Sequence, residues 1–178
     1  MNQNHFPEIK TGRLLLRKLK QTDWEMISYL RSDREVNEFV KRPSAESKEK
    51  ALEFISKTNN GIDQQNLYYW TITEINCDKM IGSICLWNFS NDQKTAEVGY
   101  DLSPEFQGKG IMNESLQSIL EFGFKILNLD LIQAYTHKRN KSSNKLLKRN
   151  RFKLVVNIKD EHNQDNIIYD IKKPAANT

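Results

Sequence analysis

The chain has 178 residues, 38% of them apolar and 28% charged, and its formal net charge is +4. A chain of this length and composition can bury a substantial core, which excludes disorder and makes disulfide or metal staples unnecessary. The chain has only two cysteines, which argues against a disulfide framework. Its three histidines are scattered, which argues against a metal site, and it lacks a long apolar run, which argues against a membrane partner. Residues 1–10 lack the apolar core of a secretory signal, so we expect a cytoplasmic protein. Because the histidines are scattered, we also expect that the protein uses no metal.

Hydrophobic periodicity predicts the elements in chain order. The predicted strands lie at 13–18, 67–75, 80–89, 95–102, 130–136, 152–158 and 167–171. The predicted helices lie at 23–30, 45–57, 108–127 and 142–149, and a capping pattern at 32–35 predicts a further short helix. This order predicts an α+β domain with a mixed, mostly antiparallel sheet of about seven strands, a central helix and helices on both faces. The strands on either side of the central helix should be parallel because a crossover joins them.

A glycine-rich segment stands where the central helix begins. It consists of Gln107, Gly108, Lys109 and Gly110. The first N–H groups of a helix have no partner within the helix, and the helix dipole adds a partial positive charge there. Because glycines let a ligand approach the backbone closely, the segment predicts a site for a phosphorylated cofactor.

The spacing of the motifs indicates a family. Gln107, Gly110 and Met112 fit Q-x-x-G-x-[GA], with Met in the last place, and this loop resembles the acetyl-CoA pyrophosphate loop of the GNAT N-acetyltransferase superfamily. Three further segments resemble its RimJ/RimL-like branch, the ribosomal-protein N-terminal acetyltransferase type: T-x-R-L-x-L-R at 11–17, A-E-x-G-Y at 96–100 and N-x-x-S-x-x-L-L at 140–147. The resemblance covers nearly the whole chain and implies a GNAT-like sheet.

The resemblance also implies how the chain is organised. We expect a single acetyltransferase domain over 1–178. Its first part, 8–66, would hold the N-terminal strand and the helices on the acceptor side; 67–137 would hold the central strands with the acetyl-CoA loop and helix, and 138–178 the C-terminal helix and hairpin.

The activity that the resemblance implies is acetyl transfer from acetyl-CoA to a primary amine. The best-known acceptor of the branch is a protein N-terminus, as on a ribosomal protein, while small amines such as polyamines or antibiotics stay open. A non-catalytic acyl-CoA-binding module is the alternative from another class. The basic run 138–151 lacks interleaved aromatics, so nucleic acid is not an expected partner. A homodimer through the apolar edge strands near the C-terminus stays open.

The resemblance assigns roles residue by residue. Glu97 is the expected base that takes the proton of the amine, with Glu161 as its rival, and Ser143 is the hydroxyl that protonates or solvates the leaving thiolate. The expected acetyl-CoA contacts are Leu102, Ser103, Gln107, Gly108, Lys109, Gly110, Ile111, Met112, Asn140 and Ser143. Tyr100 is expected to pack beneath the cofactor, and Arg13 and Arg17 to form structural salt bridges.

One segment departs from the family pattern. Asn150, Arg151 and Phe152 stand where the family usually has a Leu-Gly-Phe turn. A left-handed residue after a helix is normally Gly, and Asn tolerates this conformation better than Arg. We therefore expect Asn150 to take the left-handed position.

Overall fold

A computed structural model describes residues 6–175 of the chain. The strands are β1 Ile9–Lys10, β2 Leu14–Lys18, β3 Tyr68–Glu74, β4 Gly82–Trp87, β5 Thr95–Leu102, β6 Leu131–His137, β7 Lys153–Val155 and β8 Asn166–Lys172. The helices are α1 Trp24–Ser32, α2 Lys48–Asp63, α3 Ile111–Lys125 and α4 Lys141–Arg149, with short 3-10 helices at Gln21–Asp23 and Pro104–Phe106. The predicted α+β class is confirmed, and the described sheet has eight strands because the two-residue β1 adds one to the expected set.

The eight strands form one sheet in the order β1-β2-β3-β4-β5-β6-β8-β7. Neighbouring strands are antiparallel except β5 and β6, which α3 connects as a crossover and which are parallel as predicted. The pairing between β5 and β6 covers only residues 95–97 and 131–133. Beyond these residues the two strands separate, and a gap opens in the middle of the sheet.

Side-chain alternation along the strands produces two cores, one on each face of the sheet. Trp70 of β3 belongs to the larger cluster, which packs against α3 and α4. Its neighbour Tyr69 points to the other face and belongs to the cluster beneath α1 and α2. The prediction of helices on both faces is thus confirmed, and alternation in β5 directs Tyr100 towards α3 and α4 and Glu97 towards the opposite face.

Arg17 anchors the first helix to the sheet. Its side chain is 2% exposed and donates to both carboxylate oxygens of Asp23, each at 2.8 Å. The same guanidinium donates to the carbonyl oxygen of Asp78 in the β3–β4 turn at 2.7 Å. A bidentate pair of this kind satisfies a buried charge, so the expected structural role of Arg17 agrees with its contacts.

The end of α4 corrects one expectation. Arg151 takes the left-handed conformation, with φ of 65°, whereas Asn150 has φ of −90°. The N–H of Arg151 donates to Lys148 O and that of Phe152 to Leu147 O, which places Arg151 at the position where this helix ending favours Gly. Asn150 cannot take that position because its buried side chain holds Leu146 O and Asn113 Oδ1, at 2.9 and 3.0 Å.

Replacing Arg151 by Gly should therefore stabilise the protein. The left-handed backbone costs a side-chain-bearing residue more than it costs Gly, and after the extra chain entropy of Gly we expect a gain of about 0.5–1 kcal/mol in the free energy of unfolding. Urea denaturation measures it. Arg149→Gly, within the last turn of α4, is the matched control and should lose about 1 kcal/mol. Equal losses in both variants would contradict the assignment of Arg151.

Candidate active site

The loop before α3 presents its backbone as an anion cradle. Gly108 and Gly110 both lie in the left-handed region, with φ of 73° and 78°. Within residues 6–175, no backbone carbonyl accepts from the N–H groups of 108–112. Donors arranged in this way at a helix N-terminus suit a pyrophosphate, so the residues present fit the predicted cofactor.

The side chain of Gln107 has a structural function. Its amide nitrogen donates to Leu102 O at 3.1 Å, which ties the loop back to the end of β5. The 3-10 turn at Pro104–Phe106 lies between them, and the N–H of Gln107 donates to Pro104 O. The first residue of the glycine motif therefore fixes the direction in which the loop leaves the sheet.

The residues just before β2 hold the loop from the other side. Arg13 donates through Nε to Glu114 Oε2 at 2.8 Å and through Nη1 to Lys109 O at 3.1 Å. Thr11 donates through its hydroxyl to Glu114 Oε1, which also accepts from the N–H of Arg13. The T-x-R part of the N-terminal motif is thus a tether for the loop and for the first turn of α3. The salt bridge of Arg13 with Glu114 agrees with the expected structural role of Arg13. The contact of Arg13 with the loop at Lys109 was not predicted.

The conformation of Gly108 leads to a test of the cradle. No atom lies within 4 Å of a Cβ added there, so Gly108→Ala creates strain in the backbone without a clash. A strain of about 1–2 kcal/mol for a left-handed residue should raise the Kd for CoA roughly tenfold. Isothermal titration calorimetry measures this affinity. Gly12→Ala has an ordinary φ and only a 3.9 Å contact with Glu114 Oε1, and its Kd should equal that of the wild type. Unchanged affinity in Gly108→Ala would exclude the cradle.

The end of β5 directs backbone groups into the gap between β5 and β6. The N–H of Ser103 donates to Ile81 O, and the carbonyl of Ser103 accepts from Phe106. The adjacent pair of Gly82 and Leu102 is therefore a non-hydrogen-bonded pair, and the N–H of Leu102 points away from β4 towards the gap. Leu102 thus has the geometry expected of a cofactor donor, while both backbone groups of Ser103 already have protein partners.

Three hydroxyl groups lie together where β5 and β6 separate. Ser143 Oγ lies 2.9 Å from Tyr100 Oη and 2.9 Å from Thr136 Oγ1. Asn140 caps α4, since its Oδ1 accepts from the N–H of Ser143 at 3.1 Å and from the hydroxyl of Ser142 at 2.9 Å. The predicted residues Asn140 and Ser143 are thus next to each other at the gap, with Tyr100 bonded to one of them.

Glu97 lies on the opposite face of β5 with unusual electrostatics. Its side chain is half-buried, and burial raises the pKa of Glu97 to about 7; a hydrogen bond with Asn88 opposes this rise and the charge of Asp160 adds to it. Burial also acts to raise the pKa of Asp160, but bonds from Asn166 Nδ2 and the N–H of His162 outweigh it and lower that pKa. One carboxyl is therefore poised near neutrality beside another that stays ionised.

The rival carboxylate has a different setting. Glu161 is exposed in the loop between β7 and β8, whereas its neighbour Asp160 is buried and close enough to affect Glu97. Sequence reasoning missed Asp160, although it stands in the same polar loop. Whether Glu97 or Glu161 takes the proton stays a prediction.

The loop between α1 and α2 lies over the same face of the sheet. Arg42 donates to Asp101 Oδ2 at 2.6 Å, and Ser83 donates to Asp101 Oδ1 at 2.6 Å. Phe39 of this loop packs against His137 at the end of β6, with 5.2 Å between ring centroids. The loop therefore covers the C-terminal ends of β5 and β6 on the face to which Glu97 points, and the sequence offered no signal for its contact with β5.

Two features are absent from residues 6–175. No group of three or more His, Cys, Asp and Glu side chains there is arranged to hold a metal ion. None of the helices in this range has the length and apolar character needed to cross a membrane.

Comparisons with known proteins agree on one family. A family model described as an acetyltransferase (GNAT) domain matches residues 13–153. A relative from Bacillus subtilis, named Uncharacterized N-acetyltransferase YoaA, is 30% identical over 142 residues, which are 80% of this chain and 80% of that protein.

Solved structures show the same fold. The ribosomal-protein-S5-alanine acetyltransferase from Vibrio fischeri matches with a TM-score of 0.81 at 22% identity, over 97% of this chain and 100% of that one. The ribosomal L7/L12 α-N-protein acetyltransferase RimL, solved in complex with coenzyme A, matches with a TM-score of 0.81 at 21% identity, over 93% of this chain and 98% of that one.

Proposed function

The chain belongs to the GNAT acetyltransferase family, and from this premise we propose that it transfers the acetyl group of acetyl-CoA to the α-amino group of a protein N-terminus. The observation that carries the proposal is Glu97, a carboxyl with a pKa of about 7 beside the gap in the sheet. A group of this pKa accepts a proton efficiently near neutral pH. An acceptor amine is protonated there and must lose a proton before it attacks.

The proposed donor site uses the gap and the loop. The backbone N–H groups of 108–112 would hold the pyrophosphate, and the N–H of Leu102 would donate to the thioester oxygen. The Nδ2 group of Asn140 would bind a pantetheine carbonyl while its Oδ1 caps α4. Bound acetyl-CoA supplies the activated acetyl group.

The proposed acceptor site lies on the other face of β5. Glu97 would remove the proton of the amine, and Asp160 would remain ionised and attract the approaching ammonium group. The Arg42–Asp101 pair neutralises the next carboxylate along β5, with side chains only 19% and 14% exposed. One permanently ionised carboxylate beside the base suits one amino group better than a polyamine. Both structural neighbours are named as acetyltransferases of ribosomal proteins, which supports a protein acceptor. A cytoplasmic location is part of the proposal.

An amine panel tests the proposal. Peptides with free α-amino groups, the same peptides with blocked N-termini but a free lysine, spermidine and an aminoglycoside are incubated with acetyl-CoA and the protein. We expect CoA release with the free N-termini, and mass spectrometry should place the acetyl group on the α-nitrogen. Turnover restricted to small amines would mean that the protein transfers acetyl groups but that its acceptor is a small amine and not a protein N-terminus. CoA binding without turnover of any amine would favour an acyl-CoA-binding module.

A further inference from the structure

The cluster of Tyr100, Ser143 and Thr136 joins three elements that meet at the gap. Tyr100 belongs to β5, Thr136 to β6 and Ser143 to the first turn of α4. Each of the two outer hydroxyls lies 2.9 Å from Ser143 Oγ. The two strands share no backbone ladder at these positions, so the hydroxyls are the direct polar link across the separated ends.

The protons of the cluster can be assigned by counting. A serine hydroxyl has one proton and two lone pairs. Thr136 donates to Ser143. The other neighbour of Ser143 Oγ is the hydroxyl of Tyr100, and either oxygen of this pair can be the donor; the phenol is the more acidic hydroxyl and therefore the better donor. With Tyr100 as the second donor, both lone pairs of Ser143 are occupied, and the proton of Ser143 is left for a third partner.

Three features keep this arrangement in place. The N–H of Ser143 is bonded to Asn140 Oδ1, which fixes the backbone from which the hydroxyl projects. Burial raises the pKa of Tyr100 to about 12, although its bond to Ser143 opposes the rise, so Tyr100 remains a donor throughout the neutral range. The buried Thr136 holds the opposite side of the cluster.

We propose that Tyr100 and Thr136 are positioning residues that direct the proton of Ser143 into the gap, towards the sulfur that leaves the acetyl group. The inference rests on the proposed acetyl transfer. In that reaction Glu97 first takes one proton from the ammonium group. The neutral nitrogen then bonds to the carbonyl carbon, the carbon–sulfur bond breaks and its electron pair stays on sulfur, while the nitrogen releases its second surplus proton to water. Two donors into one oxygen polarise its O–H bond, which strengthens the hydrogen bond that Ser143 gives to the developing thiolate.

The thiol pKa of bound CoA tests the proposal without any acceptor amine. Ultraviolet absorbance of the thiolate is followed while the protein–CoA complex is titrated with base. We expect the wild type to bind CoA with a lowered thiol pKa. Tyr100→Phe and Thr136→Val should each lower the thiolate fraction at a fixed pH about two- to threefold, Ser143→Ala should lower it about tenfold, and Thr136→Ser should restore the wild-type value.

Tyr169→Phe is the matched control. The buried Tyr169 donates to Asn144 Oδ1 at 2.8 Å, so this variant also removes a tyrosine hydroxyl that is bonded to α4. Its thiolate fraction should equal that of the wild type. Wild-type values in both Tyr100→Phe and Thr136→Val, with CoA bound, would overturn the positioning role and leave the acetyl transfer intact. If the wild type does not bind CoA, both proposals fail.

Discussion

Replacing Glu97 by Gln should lower kcat about 100- to 1000-fold with the best amine substrate, because the amide cannot take the proton of the amine. The wild-type kcat/KM should fall about tenfold per pH unit below roughly pH 7, since burial holds the pKa of Glu97 at about 7 and a protonated carboxyl is no base. The pH profile of the variant should lack this decrease below pH 7. It should keep the pH dependence near pH 8 that comes from ionisation of the α-amino group of the substrate. Initial rates over a pH series measure both effects.

Stability and affinity separate a chemical role of Glu97 from a structural one. A carboxyl whose pKa is raised by folding destabilises the folded state above its unfolded pKa and imposes no penalty below it. Glu97→Gln should therefore be at least as stable as the wild type at about pH 8, with an unchanged Kd for CoA. Glu161→Gln is the matched variant on the exposed loop. If Glu161→Gln has the lowered kcat and lacks the decrease of kcat/KM below pH 7, while Glu97→Gln behaves as the wild type in both respects, the base is Glu161.

Replacing Gly82 by Ala should cost about 3 kcal/mol of unfolding free energy, because overpacking a closed site forces the backbone to move. A Cβ at this position would lie 2.6 Å from Asp101 O and 2.7 Å from Leu102 Cδ1. The carbonyl oxygen belongs to the neighbouring strand and cannot rotate away. Thermal unfolding should show a midpoint lowered by roughly 6–12 °C.

A glycine-to-alanine substitution in α2 should instead increase the free energy of unfolding. In α2, a Cβ at Gly61 would make ordinary contacts of 3.6 Å with Leu67, so Gly61→Ala should add about 0.5–1 kcal/mol through better helix propensity. Gly82→Ala should also weaken CoA binding, since the strand shift reaches Leu102 at the gap. A Gly82→Ala protein as stable as the wild type would mean that β4 and β5 are not packed as described.

The parts of the molecule that local sequence determines were predictable. Periodicity located the four helices and the main strands, and the crossover rule predicted the parallel pair. The short helix expected from the capping pattern at 32–35 is wrong, because residues 34–39 form turns instead. The glycine loop was visible because a strand end, two glycines and a helix start are adjacent in the chain. β1 was missed because two residues are too short for a periodic pattern.

The parts that depend on distant residues could not be predicted from one sequence. Arg13 and Glu114 are 101 positions apart, and neither position indicates the other. The same applies to Asp160 beside Glu97 and to Tyr100 beside Ser143, which the topology brings together. At the end of α4 the local preference of Asn for a left-handed backbone was outweighed, because the side chain of Asn150 had a better use in contact with α3.

The gap between β5 and β6 also affects how the protein avoids aggregation. Strand segments with unpaired backbone groups are sites where another polypeptide can add, and proteins usually protect them. Here the longest such segment lies in the middle of the sheet, between α4 on one face and the α1–α2 loop on the other. The outer strands β1 and β7 are only two and three residues long. An extended ligand that fits between β5 and β6 can therefore reach unpaired backbone groups, whereas the short outer strands give a second polypeptide chain few backbone groups with which to pair.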